Sequence, residues 1–327
     1  IVVRILTFGT EVFSETFWKD KLQSAWYLRT QLLDFEVTNA FRVIHGEGDG
    51  ISGLIIDYYD KNWVIQAHST GVFLQMKEIA EAIQSNFPDF CDTIYCKSAG
   101  TLPNTGTDYF LFGTKADTVA KENNILFSVN WVEGQKTGFF LDQRENRKLL
   151  GEFSKGKKVL NTFCYTGGFS IYAMNAGAEL VTSVDISQKA VDLAASNMEL
   201  NFPKANHTAV ADDVFNFMRE HTQYYDVIVL DPPAFAKSIK SKHTATQAYK
   251  RLNIAGLKAL APNGILFTFS CSQVIDDVLF YNTVAAAAIE SGRNIRVLHK
   301  LGQGPDHPTN IYHPEGHYLK GLVLFVE

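Results

Sequence analysis

Two short segments hold residue types suited to covalent chemistry. Asp231-Pro232-Pro233-Ala234-Phe235 closes the apolar run DVIVLD (226–231). Two prolines fix the backbone and remove two NH donors, so the Asp231 carboxylate and adjoining carbonyls are presented rigidly. Phe235, two residues on, suits stacking on a base. Ser270-Cys271-Ser272 closes the next apolar run, GILFTFS (264–270). Cysteine is more often a small core residue. Between two serines, just past a strand end, it reads instead as a partly exposed thiol near Asp231 that can act as a nucleophile.

A second set suits ligand binding. Gly167 and Gly168 open a strand-to-helix turn after KKVLNTF (157–163). Glycines there let backbone NH groups approach a polar ligand, although the same turn also serves as a tight connection. No GxGxxG or GKS/GKT pattern accompanies them, so pyrophosphate and triphosphate are not the obvious ligands. Asp185 ends the following run, where an acidic residue accepts from ribose hydroxyls. A helix cap is the alternative, but Ser187 already fills that role. Together these two signals favour an adenosine-containing cofactor. Either of Asp212 and Asp213 could accept from an adenine amino group or cap the next helix. In Gly138-Phe139-Phe140-Leu141-Asp142-Gln143-Arg144-Glu145, Asp142 and Glu145 have capping-box spacing. The functional alternative is a lid with Gln143 and Arg144 facing the cofactor. Lys237, Lys240, Lys242, Lys250 and Arg251 lie in an acid-free stretch at 236–251. Such a run suits phosphate contacts or a solvated loop. His307, His313 and His317 lack the carboxylate or cysteine company of a metal site, so no metal is expected.

From 157 onward, strands at 157–163, 179–185, 207–210, 226–231, 264–270, 294–300 and 320–327 alternate mostly with helical stretches. That rhythm predicts a seven-stranded, parallel, doubly wound α/β sheet. Residues 14–34 have helical spacing from Ser14 onward, and tight turns are expected at Asp60-Lys61-Asn62 and Asn123-Asn124. Residues 38–130 read as a small α+β domain, 11–37 as a linker helix and 131–327 as the catalytic domain. Residues 1–8 (IVVRILTF) read as a strand whose partners lie upstream.

Length and composition bound these readings. At 327 residues two domains are expected. With 46% hydrophobic and 20% charged residues, disordered and fibrous classes are excluded. No apolar run has the roughly 18 residues of a membrane span. Four cysteines form no disulfide framework, which points to a reducing cytoplasm. The net charge of −5 argues against a generally basic surface while leaving room for one local basic groove.

NTFCYTGG, SVD, ADDVF, DPPAF and FSCS, in this order, resemble the motifs of class I S-adenosylmethionine-dependent methyltransferases. With KTGFFLDQR, HPEGHYLKG and FRVIHGEGDGISGLIIDYY added, nearly the whole chain resembles the 23S ribosomal RNA cytosine-C5 methyltransferase family typified by large-subunit rRNA methyltransferase I. The resemblance implies a Rossmann-like catalytic domain, a small α+β domain facing RNA, and an N-terminal PUA domain of which residues 1–10 are the tail. It also implies a homodimer with ribosomal RNA as partner. S-adenosylmethionine is expected to be held by Phe163, Tyr165, Gly167, Gly168, Asp185 and Asp213, with Asp142 and Arg144 closing over it. Cys271 is the implied nucleophile and Asp231 the group on the cytosine edge. Pro232, Pro233, Phe235, Lys237, Lys240 and Lys242 are expected near the base and RNA. Two alternatives stay open: methylation of an exocyclic amino group of adenine or guanine, and a catalytically silent RNA-binding assembly factor.

Overall fold

A computed structural model describes residues 4–7, 16–236 and 238–327. Ser14 and most of the strand expected over 1–8 lie outside them, and residues 4–7 form no strand. The chain divides into two compact units: Ile1–Arg144 with Gly304–Gly316, and Glu145–Gln303 with His317–Glu327.

The first unit contains α1 (Phe17–Leu32), β1 (Ala40–His45), β2 (Leu54–Tyr59), β3 (Asn62–Ala67), α2 (Thr70–Phe73), α3 (Met76–Asn86), β4 (Thr93–Lys97), β5 (Asp108–Phe112), β6 (Asp117–Glu122) and β7 (Ile125–Asn130). Strands β1 to β5 form one sheet in chain order, and β6–β7 form a separate hairpin. Both expected tight turns are present. Asp60 and Lys61 (φ 43° and 68°) and Asn123 and Asn124 (φ 49° and 64°) take left-handed conformations in two-residue loops. That geometry matches the right-handed twist of the flanking strands. The expected linker helix is no free linker. Phe17, Trp18, Leu22 and Ala25 of α1 are buried with the sheet residues Phe41, Ile56 and Trp63. The Trp26 ring stacks on Trp63 with centroids 5.4 Å apart.

Polar side chains are also buried here, in one connected network. The fully buried Asp306 carboxylate accepts from both Arg144 guanidinium nitrogens at 3.1 and 2.8 Å and from the Arg42 amide at 3.1 Å. Fully buried Arg29 donates to both Asp49 oxygens at 2.5 and 2.9 Å and to the carbonyls of Arg42 and Asp306, each at 2.8 Å. Arg42 forks onto Asp57 at 2.7 and 2.9 Å and meets His45 Nδ1 at 3.1 Å. Buried charges persist only when paired and hydrogen-bonded, and each of these is. This network corrects the expected domain boundary. The unit ends at Arg144 rather than 130, and Gly304–Gly316 joins it, because Asp306 anchors that segment among Arg29, Arg42 and Arg144.

The second unit contains α4 (Arg144–Glu152, its first residue belonging to the first unit), β8 (Lys158–Thr162), α5 (Gly168–Asn175), β9 (Leu180–Asp185), α6 (Gln188–Asn201), β10 (His207–Ala211), α7 (Val214–Glu220), β11 (Tyr225–Leu230), α8 (Lys242–Ala259), β12 (Leu260–Ser270), α9 (Asp277–Ser291), β13 (Ile295–Leu301) and β14 (Lys320–Val326). The seven strands lie in the order β10-β9-β8-β11-β12-β14-β13. The expected all-parallel sheet is corrected to a mixed one. β8 to β12 run parallel, but β14 pairs antiparallel with both β12 and β13. No α-helix lies between β13 and β14, and a parallel return needs a long crossover. β14 slots between its neighbours and is almost entirely buried, whereas β13 is the exposed edge.

Removing the Asp306 carboxylate takes from buried Arg144 the acceptor of two of its guanidinium nitrogens, while Arg29 keeps its pairing with Asp49. Asp306→Ala is expected to lose about 3–5 kcal/mol of unfolding free energy in urea titrations. A loss below about 1 kcal/mol would contradict the role given to this carboxylate. Burial, followed by Arg42, His307 and Arg29, lowers the His45 pKa to about 2. An unfolded histidine takes up its proton near pH 6.5. Between those values the unfolded state binds more protons, so stability falls as pH drops below about 6.5. His45→Asn, whose amide oxygen can replace Nδ1 as the acceptor from Arg42, should flatten that dependence between roughly pH 6.5 and 4. Denaturation midpoints across this range measure it, and an unchanged slope would exclude His45 as its source.

Candidate functional site

In an open α/β sheet, ligands bind outside the carboxyl ends of the strands where the strand order reverses. Here that point lies between β8 and β11. Asp185 ends β9, Asp212 and Asp213 follow β10, Asp231 follows β11, and Cys271 follows β12. All leave the sheet at this edge.

The turn between β8 and α5 is unusual in its backbone. Phe163 and Tyr165 take positive φ of 54° and 46°, ahead of Gly167 at 79°. A left-handed non-glycine residue costs about 1–2 kcal/mol, so such residues persist only where surroundings fix them. Several contacts do so. The Cys164 amide donates to the Val184 carbonyl at 3.1 Å and the Tyr165 amide to Asp185 Oδ2 at 3.1 Å. Asn197 Nδ2 reaches the Thr166 carbonyl at 3.0 Å. Gly167 is required on a second count, because a Cβ there would lie 3.0 Å from the Ala194 Cβ.

A buried polar chain supports the turn from below. Asn161 Nδ2 donates to Ser170 Oγ at 2.9 Å, Ser170 meets Ser183 at 2.6 Å, and Ser183 meets His207 Nε2 at 2.8 Å. Burial holds the His207 pKa down to about 4, which keeps the ring neutral at physiological pH. This chain links β8, α5, β9 and β10. The sequence reading missed it because none of its members stands out in a motif.

The Asp185 carboxylate accepts one backbone amide on each oxygen, Tyr165 N at 3.1 Å and Ser187 N at 3.0 Å. It is thereby oriented with acceptor capacity left for hydroxyl donors. The turn itself, residues 163–168, holds no lysine or arginine. A carboxylate beside neutral amides suits a ribose diol and an uncharged or cationic nucleoside better than a polyphosphate. The donor set therefore fits S-adenosylmethionine. Asp213 caps α7 by accepting the Asn216 amide at 3.0 Å, and Asp212 accepts the Asp213 amide at 2.7 Å. The capping role is thus occupied by Asp213.

Asp142 and Arg144 fall in the first unit. Arg144 is 1% exposed with its guanidinium on Asp306, which corrects the expected lid role for its side chain. The guanidinium near the glycine turn belongs to Arg147, whose Cδ would lie 3.0 Å from a Cβ on Gly168.

At the other side of the switch point, β11 and β12 run parallel with Leu230 opposite Thr268. Asp231 and Cys271 therefore leave neighbouring strands. Cys271 is half-buried, whereas Cys91, Cys96 and Cys164 are buried. Ser272 ties the two loops together. Its Oγ meets the Ala236 amide at 3.4 Å and the Tyr249 hydroxyl at 2.9 Å, and its carbonyl accepts from Lys320 Nζ at 2.9 Å. In the sequence Ser272 is only a flank of the thiol, and no motif marks Tyr249 or Lys320. Pro232 is buried and Pro233 exposed. Phe235 packs on Tyr249 with ring centroids 4.7 Å apart, which commits one of its faces to the core.

Lys240 is exposed, while Lys242 and Lys250 lie 3.8 and 2.6 Å from Asp276 and Glu290. Lys237 lies outside the described residues. Among the described residues, no cluster of three His, Cys, Asp or Glu side chains could hold a metal ion. No described helix is long and apolar enough to cross a membrane.

A sequence profile of the S-adenosylmethionine-dependent methyltransferases matches residues 103–314. The chain is 38% identical to the ribosomal RNA large subunit methyltransferase I of Aeromonas hydrophila, covering 99% of this chain and 84% of that one. The protein of the same name from Alteromonas mediterranea is 40% identical, covering 100% and 84%. A candidate SAM-dependent methyltransferase from Streptococcus mutans superposes with a TM-score of 0.86 at 26% identity, over 98% of this chain and 84% of that one. A methyltransferase candidate complexed with SAH gives 0.84 at 27%, over 97% and 83%. A profile match over most of the chain, and relatives this similar over nearly its full length, settle its family: the chain belongs to the S-adenosylmethionine-dependent methyltransferases.

Proposed function

We propose that this enzyme methylates C5 of a cytosine in 23S ribosomal RNA through a covalent bond between Cys271 and C6. The observation that carries this reading is the half-exposed Cys271 thiol on the strand next to Asp231, with Ser272 joining their loops. Transfer to an exocyclic amino group needs no cysteine there. The names of the relatives, large-subunit ribosomal RNA methyltransferases I, support the RNA class.

Cytosine C5 is a poor nucleophile. Attack of the Cys271 thiolate on C6 forms an S–C6 bond and moves the C5=C6 electron pair onto C5. S-adenosylmethionine, when bound, would supply the methyl carbon that accepts that pair, its bond to the sulfonium sulfur breaking with the electrons left on sulfur and S-adenosylhomocysteine departing. Loss of the C5 proton to a base then restores C5=C6, breaks S–C6 and returns the thiolate. In this reading Asp231 holds the N3/N4 edge of the base, with Pro232 and Pro233 fixing its direction. The base must leave its stack to reach these groups. Phe235 supports the pocket through Tyr249. Phe163, Tyr165, Gly167, Gly168 and Asp185 form the cofactor cradle, with Asp213 at its margin. Lys237, Lys240 and Lys242 are the candidate contacts for RNA phosphates. A cytoplasmic homodimer with an N-terminal PUA domain completes the proposal, on the strength of the family resemblance.

Methyl transfer from labelled cofactor to total RNA of a deletion strain, followed by nucleoside analysis, tests this function. The expected product is 5-methylcytidine in 23S RNA, and an N-methylated purine would overturn the assignment. Cys271→Ala is expected to retain cofactor binding in calorimetry and to lose methyl transfer to background. Asp185→Ala should weaken cofactor binding by roughly 10–100-fold, the scale of charged hydrogen bonds to two hydroxyls. An unchanged dissociation constant would remove Asp185 from the cradle.

A further inference from the structure

Lys320 opens β14, and its α-carbon pairs with Ser270 across the β12–β14 ladder, one residue from Cys271. Its side chain is only 3% exposed, which is rare for lysine. The ammonium donates to the Ser272 carbonyl at 2.9 Å and to the Tyr318 carbonyl at 2.7 Å. Among the described residues no carboxylate forms an ion pair with it. A buried cation whose hydrogen bonds go to neutral carbonyls favours an anion forming beside it. The Cys271 thiol, on the residue before the carbonyl that Lys320 grips, is able to become one.

We propose that Lys320 is a positioning residue for the nucleophile: it holds the Cys271 turn through the Ser272 carbonyl, and its charge stabilises the Cys271 thiolate. The inference rests on the covalent reading of Cys271 given above. On ionisation the S–H bond breaks, the electron pair stays on sulfur, and the proton passes to water. Other groups act on the same place. Tyr249 on α8 reaches Ser272, and Asp231 leaves the adjoining strand. Burial lowers the pKa of Lys320, and Asp277 at the start of α9, Cys271 itself and Asp276 raise it only in part. His317 lies 3.4 Å from Asp277 and moderates that carboxylate when protonated. Of these neighbours only Lys320 is a buried cation bonded to the cysteine turn.

Alkylation of Cys271 by iodoacetamide, followed across pH by peptide mass spectrometry, tests the proposal without RNA or methyl donor. The other three cysteines are buried, which keeps the signal specific. The wild-type rate should reach half-maximum below about pH 8.5, the ordinary thiol value. In Lys320→Met the half-point should rise by about one pH unit or more, a tenfold or greater loss of thiolate at neutral pH. Lys320→Arg should stay near wild type. Identical profiles in wild type and Lys320→Met overturn the proposal. Should Lys320→Met fail to bind cofactor and so to fold, the wild-type profile decides. A half-point clearly below 8.5 supports the proposal, and one at or above it overturns the proposal. Methyl transfer by Cys271→Ala would instead overturn the covalent reading, so the two failures are distinct.

Discussion

A single buried carboxylate sets the path of the chain's least regular stretch. Asp306 lies inside the first unit among three arginines, yet the strands on either side of it in sequence, β13 and β14, belong to the sheet of the second. Burial alone would raise the Asp306 pKa, but His307 and Arg144 more than offset this and hold it well below the ordinary carboxylate range. The segment carrying it leaves the sheet and returns without a helix, so β14 enters antiparallel. That entry buries the first residue of β14, Lys320, against the turn that carries Cys271.

The catalytic-side geometry depends on the sheet in a second way. Asp185, Asp231 and Cys271 sit at or just past strand ends, so their positions follow from strand register. The loops add connections rather than placement. Ser272 is the main one, since it bonds to the loop after Asp231, to α8 and to β14. The cradle beneath the cofactor side is built differently, from a left-handed backbone at Phe163 and Tyr165 and a buried polar chain ending at His207.

Much of this was legible in the sequence because it is local. Apolar runs bounded by Gly, Asp or Ser marked the strands, and Asp60-Lys61 and Asn123-Asn124 announced their turns. Asp231-Pro232-Pro233 and Cys271 were readable because their chemistry is unusual for a turn. What escaped depends on partners far apart in the chain. Arg144 looked like a lid residue beside Asp142, but its partner Asp306 is 162 residues away. Lys320 looked like a polar strand start, and only the antiparallel insertion of β14 buries it. Phe235 looked free to stack, and only the packing of Tyr249 occupies one of its faces. The direction of β14 was likewise invisible, because hydrophobic runs record burial and not polarity of pairing.

The placement of Asp231 and Cys271 directly after the ends of neighbouring parallel strands has an evolutionary consequence. Strands in a sheet lie about 4.8 Å apart whatever their side chains. The two positions therefore keep their mutual spacing through substitutions that leave the sheet intact. A lineage could exchange the thiol for another side chain at position 271, and so change which atom of a base is modified, without rebuilding the scaffold. The same scaffold can accommodate a different reaction because the separation of its working groups is a property of the backbone lattice.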